Sequence, residues 1–310
     1  MKYRHTALTP VVLALVCASL SVLDACGRGA ARTFPTPEDA VESLIAAART
    51  SSLDAVVAIF GVEGRAVVDS SDPATPRRNL AVFTAAAAER WHLEAQPDAS
   101  KLLVIGNEDW PFPVPLVKDA RGWRFDAAAG NEEILARRIG RNELAVIGVC
   151  RTYVAAQRLY RDRGHDGNAA GFYAMTLRSD PGRQNGLYWP ASAGQKRSPL
   201  GDLVAQAAAD GRTLGVEGKQ PSPFHGYYFR ILTAQGPGAR GGAKDYISDG
   251  KLSGGFALVA WPSVYGATGI MTFMVNQEGL VYERDLGTGT EATVQTLTSY
   301  DPGPLWTAVQ

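Results

Sequence analysis

A chain of 310 residues with 45% hydrophobic and 20% charged residues can bury a real core and has room for about two domains of ~150 residues. Its 31 basic and 31 acidic residues cancel, and no lysine or arginine run stands out, which argues against a nucleic-acid partner. A composition this apolar also excludes a disordered chain.

Lys2, Arg4 and His5 precede the apolar run VVLALVCASLSVL at residues 11–23, and small residues follow. This is the charged, apolar, small order of a secretory leader. The run falls short of the ~20 residues that a membrane-spanning helix needs, so export is expected rather than a spanning anchor. The leader ends in LDAC, residues 23–26, which resembles a bacterial lipobox with Cys26 as the lipidated residue. Asp24 departs from that pattern, whose middle position is normally small or aliphatic. Residues 1–26 are therefore read as a signal peptide; the alternative is cleavage a few residues on, within GRGAA at residues 27–31. The expected location is the periplasm or the outer membrane of a Gram-negative bacterium, with a lipid on Cys26 as the membrane link. Cys17 would leave with the leader, and Cys150 would then have no internal disulfide partner if Cys26 is lipidated.

Thr36-Pro37-Glu38-Asp39 is a helix start: a capping hydroxyl, a proline at the first position and an acidic pair at the positive end of the dipole. Apolar residues at helical spacing follow through Arg49 (Ala40, Val41, Leu44, Ile45, Ala48), and a second short helix covers residues 53–60. GRAVVDS, residues 64–70, reads as a short strand, and the alanine-rich stretch 77–90 as a helix. WHLEAQ, KLLVIGNEDW, FPVPLVKDA and GWRFDAA then read as four strands between Pro-Asp, Trp-Pro and Arg-Gly turns. With PLVKDARGWRFDAAAG (residues 115–130) as a closing hairpin, residues 34–130 resemble the cone-shaped fold of nuclear-transport-factor-2-like proteins, which implies a curved antiparallel sheet wrapped around helices. That fold carries many functions and licenses none alone.

From residue 132 to 163 the pattern is a long helix. Leu135, Ile139, Val146, Cys150, Tyr153 and Tyr160 lie along one stripe, with Ile147 and Val154 beside it, and Gly140 is a candidate break. Residues 164–223 form a loop-rich insertion with one clear helix, SPLGDLVAQAAADG. The strands YYFRILTAQ, FALVAWP, GIMTFMVNQEG and LVYERDL close the chain, the last two joined as a hairpin at residues 276–279. A long helix followed by GYYFRILTA, FALVAWP and TFMVNQEGLVYERD resembles the globular part of type IV pilins and pseudopilins over residues 131–310. It lacks the hydrophobic N-terminal helix and the processing motif that a fibre subunit needs. The fold class is thus α+β in both halves: a helix-wrapped, cone-like antiparallel sheet, then a long helix packed on an antiparallel meander.

The motifs DWPFPVPLV, GWRFD, EEILARRIGRNELA, NGLYWPA, HGYYFRILTAQGP, GGFALVAWP and YGATGIMTFMVNQEG together resemble the bacterial exported family known as domain of unknown function 2950, over roughly residues 34–306. The resemblance implies no activity, cofactor or catalytic residue.

No constellation of residues names a reaction. GPGARGG (residues 236–242) follows a strand but does not open a helix, so it reads as a loop rather than a phosphate cradle. His92, His165 and His225 are scattered, and RDRGHDGN lacks the alternating oxygen ligands of a calcium loop, so neither a metal nor any other cofactor is expected. Ser253 in LSGGF lacks a nucleophile elbow, and Cys150 falls on the apolar stripe of a helix. Asp109 or the pair Glu283 and Asp285 could supply carboxylates for glycoside hydrolysis, whose spacing a sequence does not give. The candidate groove is Asp109, Trp110, His225, Tyr227, Arg230, Trp261 and Tyr265, since Trp and Tyr near Pro and Gly line concave binding surfaces as well as cores. The resulting expectation is a non-catalytic binding or assembly module with an envelope protein or glycan partner. The alternative is a periplasmic, hydrolase-like enzyme with its site between the two domains.

Overall fold

The computed structural model describes residues 29–68, 74–166, 169–190, 197–204 and 223–309. The chain is α+β and divides into two compact units, Met1–Asn131 and Glu132–Gln310, each built on its own hydrophobic cluster.

In the first unit, α1 (Pro37–Arg49) starts at a reciprocal cap. The Thr36 hydroxyl accepts from the Asp39 N–H at 3.1 Å, and the Asp39 carboxylate accepts from the Thr36 N–H at 3.2 Å, so two otherwise orphaned donors are satisfied. Its apolar face, Ala40, Val41, Leu44, Ile45 and Ala48, is buried as the spacing required. Thr36→Ala is expected to lower stability by about 1 kcal/mol, read from the urea midpoint; an unchanged midpoint would mean that the cap contributes nothing.

Next come α2 (Leu53–Phe60), α3 (Gly64–Val68) and α4 (Ala74–Glu89). The α3 segment corrects the reading of GRAVVDS as a strand. Gly64 and Ala66 donate to the carbonyls of Gly61 and Glu63 at 2.9 and 3.2 Å, so the chain coils again directly after α2. Two adjacent valines favour a strand by propensity, but local hydrogen bonding and packing of Val67 and Val68 on the core override it.

The sheet of this unit is antiparallel: β1 (Trp91–Ala95), β2 (Lys101–Ile105), β4 (Leu116–Asp119) and β5 (Gly122–Phe125) in that spatial order, with β3 (Trp110–Pro111) also on β2. KLLVIGNEDW, read as one strand, folds back on itself as β2 and β3, because Gly106 takes φ 76° and its carbonyl accepts from Asp109 N–H at 3.3 Å. Phe60, Phe83, Phe112 and Phe125 interlock beneath the sheet, with ring centroids 5.3–6.4 Å apart.

The long helix α5 (Ala127–Arg163), most of which belongs to the second unit, begins before the expected residue 132, and Gly140 does not interrupt it. The loop-rich stretch contains a parallel pair, β6 (Thr176–Arg178) and β7 (Gly186–Tyr188). The expected helix at residues 198–211 is helical at 201–204 and otherwise lies outside the described residues.

The main sheet runs β16 (Thr307–Ala308), β15 (Val281–Asp285), β14 (Met271–Asn276), β13 (Ala257–Pro262) and β8 (Tyr227–Leu232), every neighbour antiparallel. Between β8 and β13 lie two small ladders, β9 (Ala234–Gln235) with β10 (Lys244–Asp245), and β11 (Ile247–Ser248) with β12 (Lys251–Leu252). Every residue of β13 is buried, the signature of a strand covered on both faces. On one face the α5 stripe of Val146, Cys150, Tyr153 and Val154 joins the sheet core, and the Tyr153 hydroxyl donates to Ala257 O at 3.1 Å. On the other lies α6 (Thr290–Thr296), whose Glu291 accepts from the Trp261 indole at 2.7 Å.

Candidate functional site

The second unit contains a cavity of about 420 Å³. Its floor is the free edge of the main sheet, Tyr228 to Ile231 of β8, with Leu258 of β13 behind it. Val149 and Tyr153 of α5 form one wall, and Met175 and residues 176–178 of β6 with Tyr188 form the other. Leu200, Leu203, Val204 and Phe224 complete the lining. Apart from Thr176, the tyrosine hydroxyls and two arginines, Arg178 and Arg230, the lining side chains are apolar. Arg178 is exposed and lies 5.8 Å over the Tyr188 ring. Such a cavity is of ligand-binding size and character.

Of the seven groove candidates, Arg230 lines this cavity. Its guanidinium reaches through the strand's other face, where Nη2 donates to the carbonyls of Val294 and Leu297 at 2.5 and 2.8 Å at the end of α6. Trp261 lies on that same face, 6.0 Å from the Arg230 guanidinium and bonded to Glu291. Tyr227 is fully buried and donates to Met271 O at 2.9 Å. His225 holds φ 48° at the entrance to β8, its ring 4.1 Å from that of Phe224. Tyr265 donates to the Asp285 carboxylate at 3.1 Å. Asp109 and Trp110 belong to the first unit. Asp109 is ion-paired with Arg90, and Trp110 is 46% exposed beside Phe112. Cys26 lies outside the described residues. The structure thus brings Arg230 and Trp261 together and gives Tyr227, Arg230, Trp261 and Tyr265 partners within the fold.

Two polar residues absent from the candidates, Glu143 half-buried and Gln157 fully buried, tie α5 to its neighbours. Glu143 accepts main-chain N–H bonds from Ile270 and Met271 at 2.8 and 3.0 Å, and the Tyr227 hydroxyl lies 3.4 Å away. Burial first and the Glu143 charge second push the Tyr227 hydroxyl far above its ordinary range, and the same two causes raise the Glu283 carboxyl. Gln157, with no exposed surface, donates to Ala174 O and accepts from Ala174 N, both at 2.9 Å, and donates to the Tyr153 hydroxyl at 3.1 Å. Both residues continue the α5 stripe, Glu143 four after Ile139 and Gln157 four after Tyr153, so a polar residue on an apolar stripe was the signal for each.

Cys150 is buried, and burial pushes its thiol up to about 12, so it is a core residue without thiolate character. No cluster of metal-ligating side chains occurs among the described residues, and no described helix is long and apolar enough to cross a membrane. An opening of about 270 Å³ in the first unit is flanked by Arg121 and Arg124. Both cations face Asp119 at 3.7 and 3.5 Å, and an N–H bond from Arg121 to that carboxylate is the main cause holding it below its usual range.

No curated protein and no solved structure matches the chain significantly. The family model described as "Protein of unknown function (DUF2950)" matches residues 31–309, about nine-tenths of the chain. The chain therefore belongs to the DUF2950 family.

Proposed function

We propose that this chain is an exported, non-catalytic binding module of the bacterial cell envelope, with the cavity on β8 as its binding site. The observation that carries the reading is the cavity itself: about 420 Å³ with predominantly apolar and aromatic walls, in a unit whose polar candidate residues are engaged in holding the fold. Export and attachment rest on the leader and on Cys26 in LDAC. A lipid there would tether the module to a membrane and leave the cavity free to take a guest from the envelope.

The cavity is tested with 1-anilinonaphthalene-8-sulfonate, whose fluorescence rises in apolar surroundings. The purified chain is expected to bind it, and Leu203→Trp, which fills the space, is expected to weaken binding by about tenfold or more. Equal binding by both proteins would remove the cavity from the reading. Attachment is tested by intact mass and detergent partitioning: the wild-type chain gains the mass of a diacylglyceryl group and Cys26→Ala does not, whereas identical behaviour would rule the anchor out.

A further inference from the structure

β8 is the free edge of the main sheet, and its main-chain groups point alternately toward and away from β13. Gly226 O accepts from Ser263 N on the β13 side at 2.8 Å, which assigns Tyr228, Arg230 and Leu232 to the β13 ladder. On the open side, Tyr227 exchanges both its main-chain bonds with Phe224 at 2.8 and 3.0 Å, and Thr233 O accepts from Tyr246 N at 2.8 Å. The open edge is therefore sealed at Tyr227 and Thr233. Between them, the outward N–H and C=O groups of Phe229 and Ile231 have no main-chain partner among the described residues. Both residues are half-buried and line the cavity.

This arrangement discriminates between guests. A hydrocarbon would strip water from four polar groups and give nothing in return. An extended polypeptide offers donors and acceptors at the same two-residue repeat of roughly 6.7 Å and pairs all four. Among the described residues the lining also carries the exposed Arg178 and no carboxylate, so it favours a guest with negative charge.

On this basis, which rests on the cavity being a binding site, we infer that β8 receives an extended segment of another polypeptide as an added strand beside Phe229 and Ile231. The segment is apolar at alternate positions, where side chains enter the cavity, and carries an acidic residue that reaches Arg178.

The test selects a random octapeptide phage library on the purified chain. Enriched peptides are expected to alternate apolar residues and to contain Asp or Glu. N-methylation of the selected peptide at alternate nitrogens is expected to weaken binding about tenfold in one register and little in the other. Ile231→Pro removes one outward N–H without touching the β13 ladder; it is expected to lose peptide binding while keeping the circular-dichroism spectrum of the parent. Arg178→Glu is expected to weaken the acidic peptides. No enrichment, or indifference to N-methylation, overturns the inference, and dye binding in the same samples shows whether the cavity reading stands without it. Two further results overturn it: strong hydrogen-exchange protection of the Phe229 and Ile231 amides in the free chain, which means the edge is already paired, and a concentration-dependent dimer abolished by Ile231→Pro, which makes the occupant a second copy.

Discussion

Gln157→Leu is expected to lower the stability of the second unit by about 2–6 kcal/mol, the sum of two buried polar groups losing their partners at about 1–3 kcal/mol each. Gln157 holds both the N–H and the C=O of Ala174, and Ala174 is itself buried. Leucine matches the size of glutamine and the apolar surroundings of the stripe, so little packing is lost. The effect therefore isolates the hydrogen bonds. Tyr153 keeps its bond to Ala257 O, so that hydroxyl is not orphaned. Gln157→Glu makes a second, signed prediction. The carboxylate still accepts from Ala174 N but faces Ala174 O without a proton, so burial must raise its folded pKa above the ordinary glutamate value. Stability is then fullest below the unfolded-state pKa and is lost as pH rises through the folded one. Urea unfolding at pH 5 and pH 8 reads both outcomes. A leucine variant as stable as the parent would show that the Ala174 groups find other partners.

The pattern of helices and strands was largely legible because its main elements carry local signals. The Thr36 cap, the stripe from Leu135 to Tyr160 and the apolar β13 each declare themselves within a few residues. The edge proposed to bind was not legible. The cavity lining spans Val149 to Leu258, and the opening of Phe229 and Ile231 depends on Phe224 and Tyr246 sealing the strand on either side; no periodicity encodes that. His225 and Arg230 drew attention by residue type, yet Arg230 serves largely to cap the carbonyl end of α6. In α3 the error was of another kind, since propensity pointed one way and the turn after α2 the other. Glu143 and Gln157 were in plain view: each sits at an apolar stripe position and is polar, and a buried polar group must have a partner.

Glu143→Leu is expected to cost about 2–4 kcal/mol, because the half-buried N–H groups of Ile270 and Met271 lose the carboxylate that accepts from both, at about 1–2 kcal/mol for each donor left unmatched. Tyr227 keeps its bond to Met271 O, so its hydroxyl adds little. The same substitution removes the charge that, after burial, raises the Glu283 carboxyl. Its pKa is therefore expected to fall toward the ordinary value in the variant, as read by carboxyl-resolved NMR titration. The sign of the pH dependence follows. A carboxyl whose folded pKa is raised contributes most below the ordinary glutamate range and loses that contribution as pH rises through the folded value. Glu283→Gln, which cannot ionise, should thus be close to the parent in stability at pH 4 and gain on it toward pH 7. If Glu283→Gln instead loses ground as pH rises, Glu283 is stabilised by its charge, and neither burial nor the Glu143 charge raises its pKa. Separating the two effects needs the double variant. With Glu143 already replaced, the advantage of Glu283→Gln at pH 7 should shrink to the share that burial alone contributes, and an undiminished advantage would show that the two carboxyls do not interact.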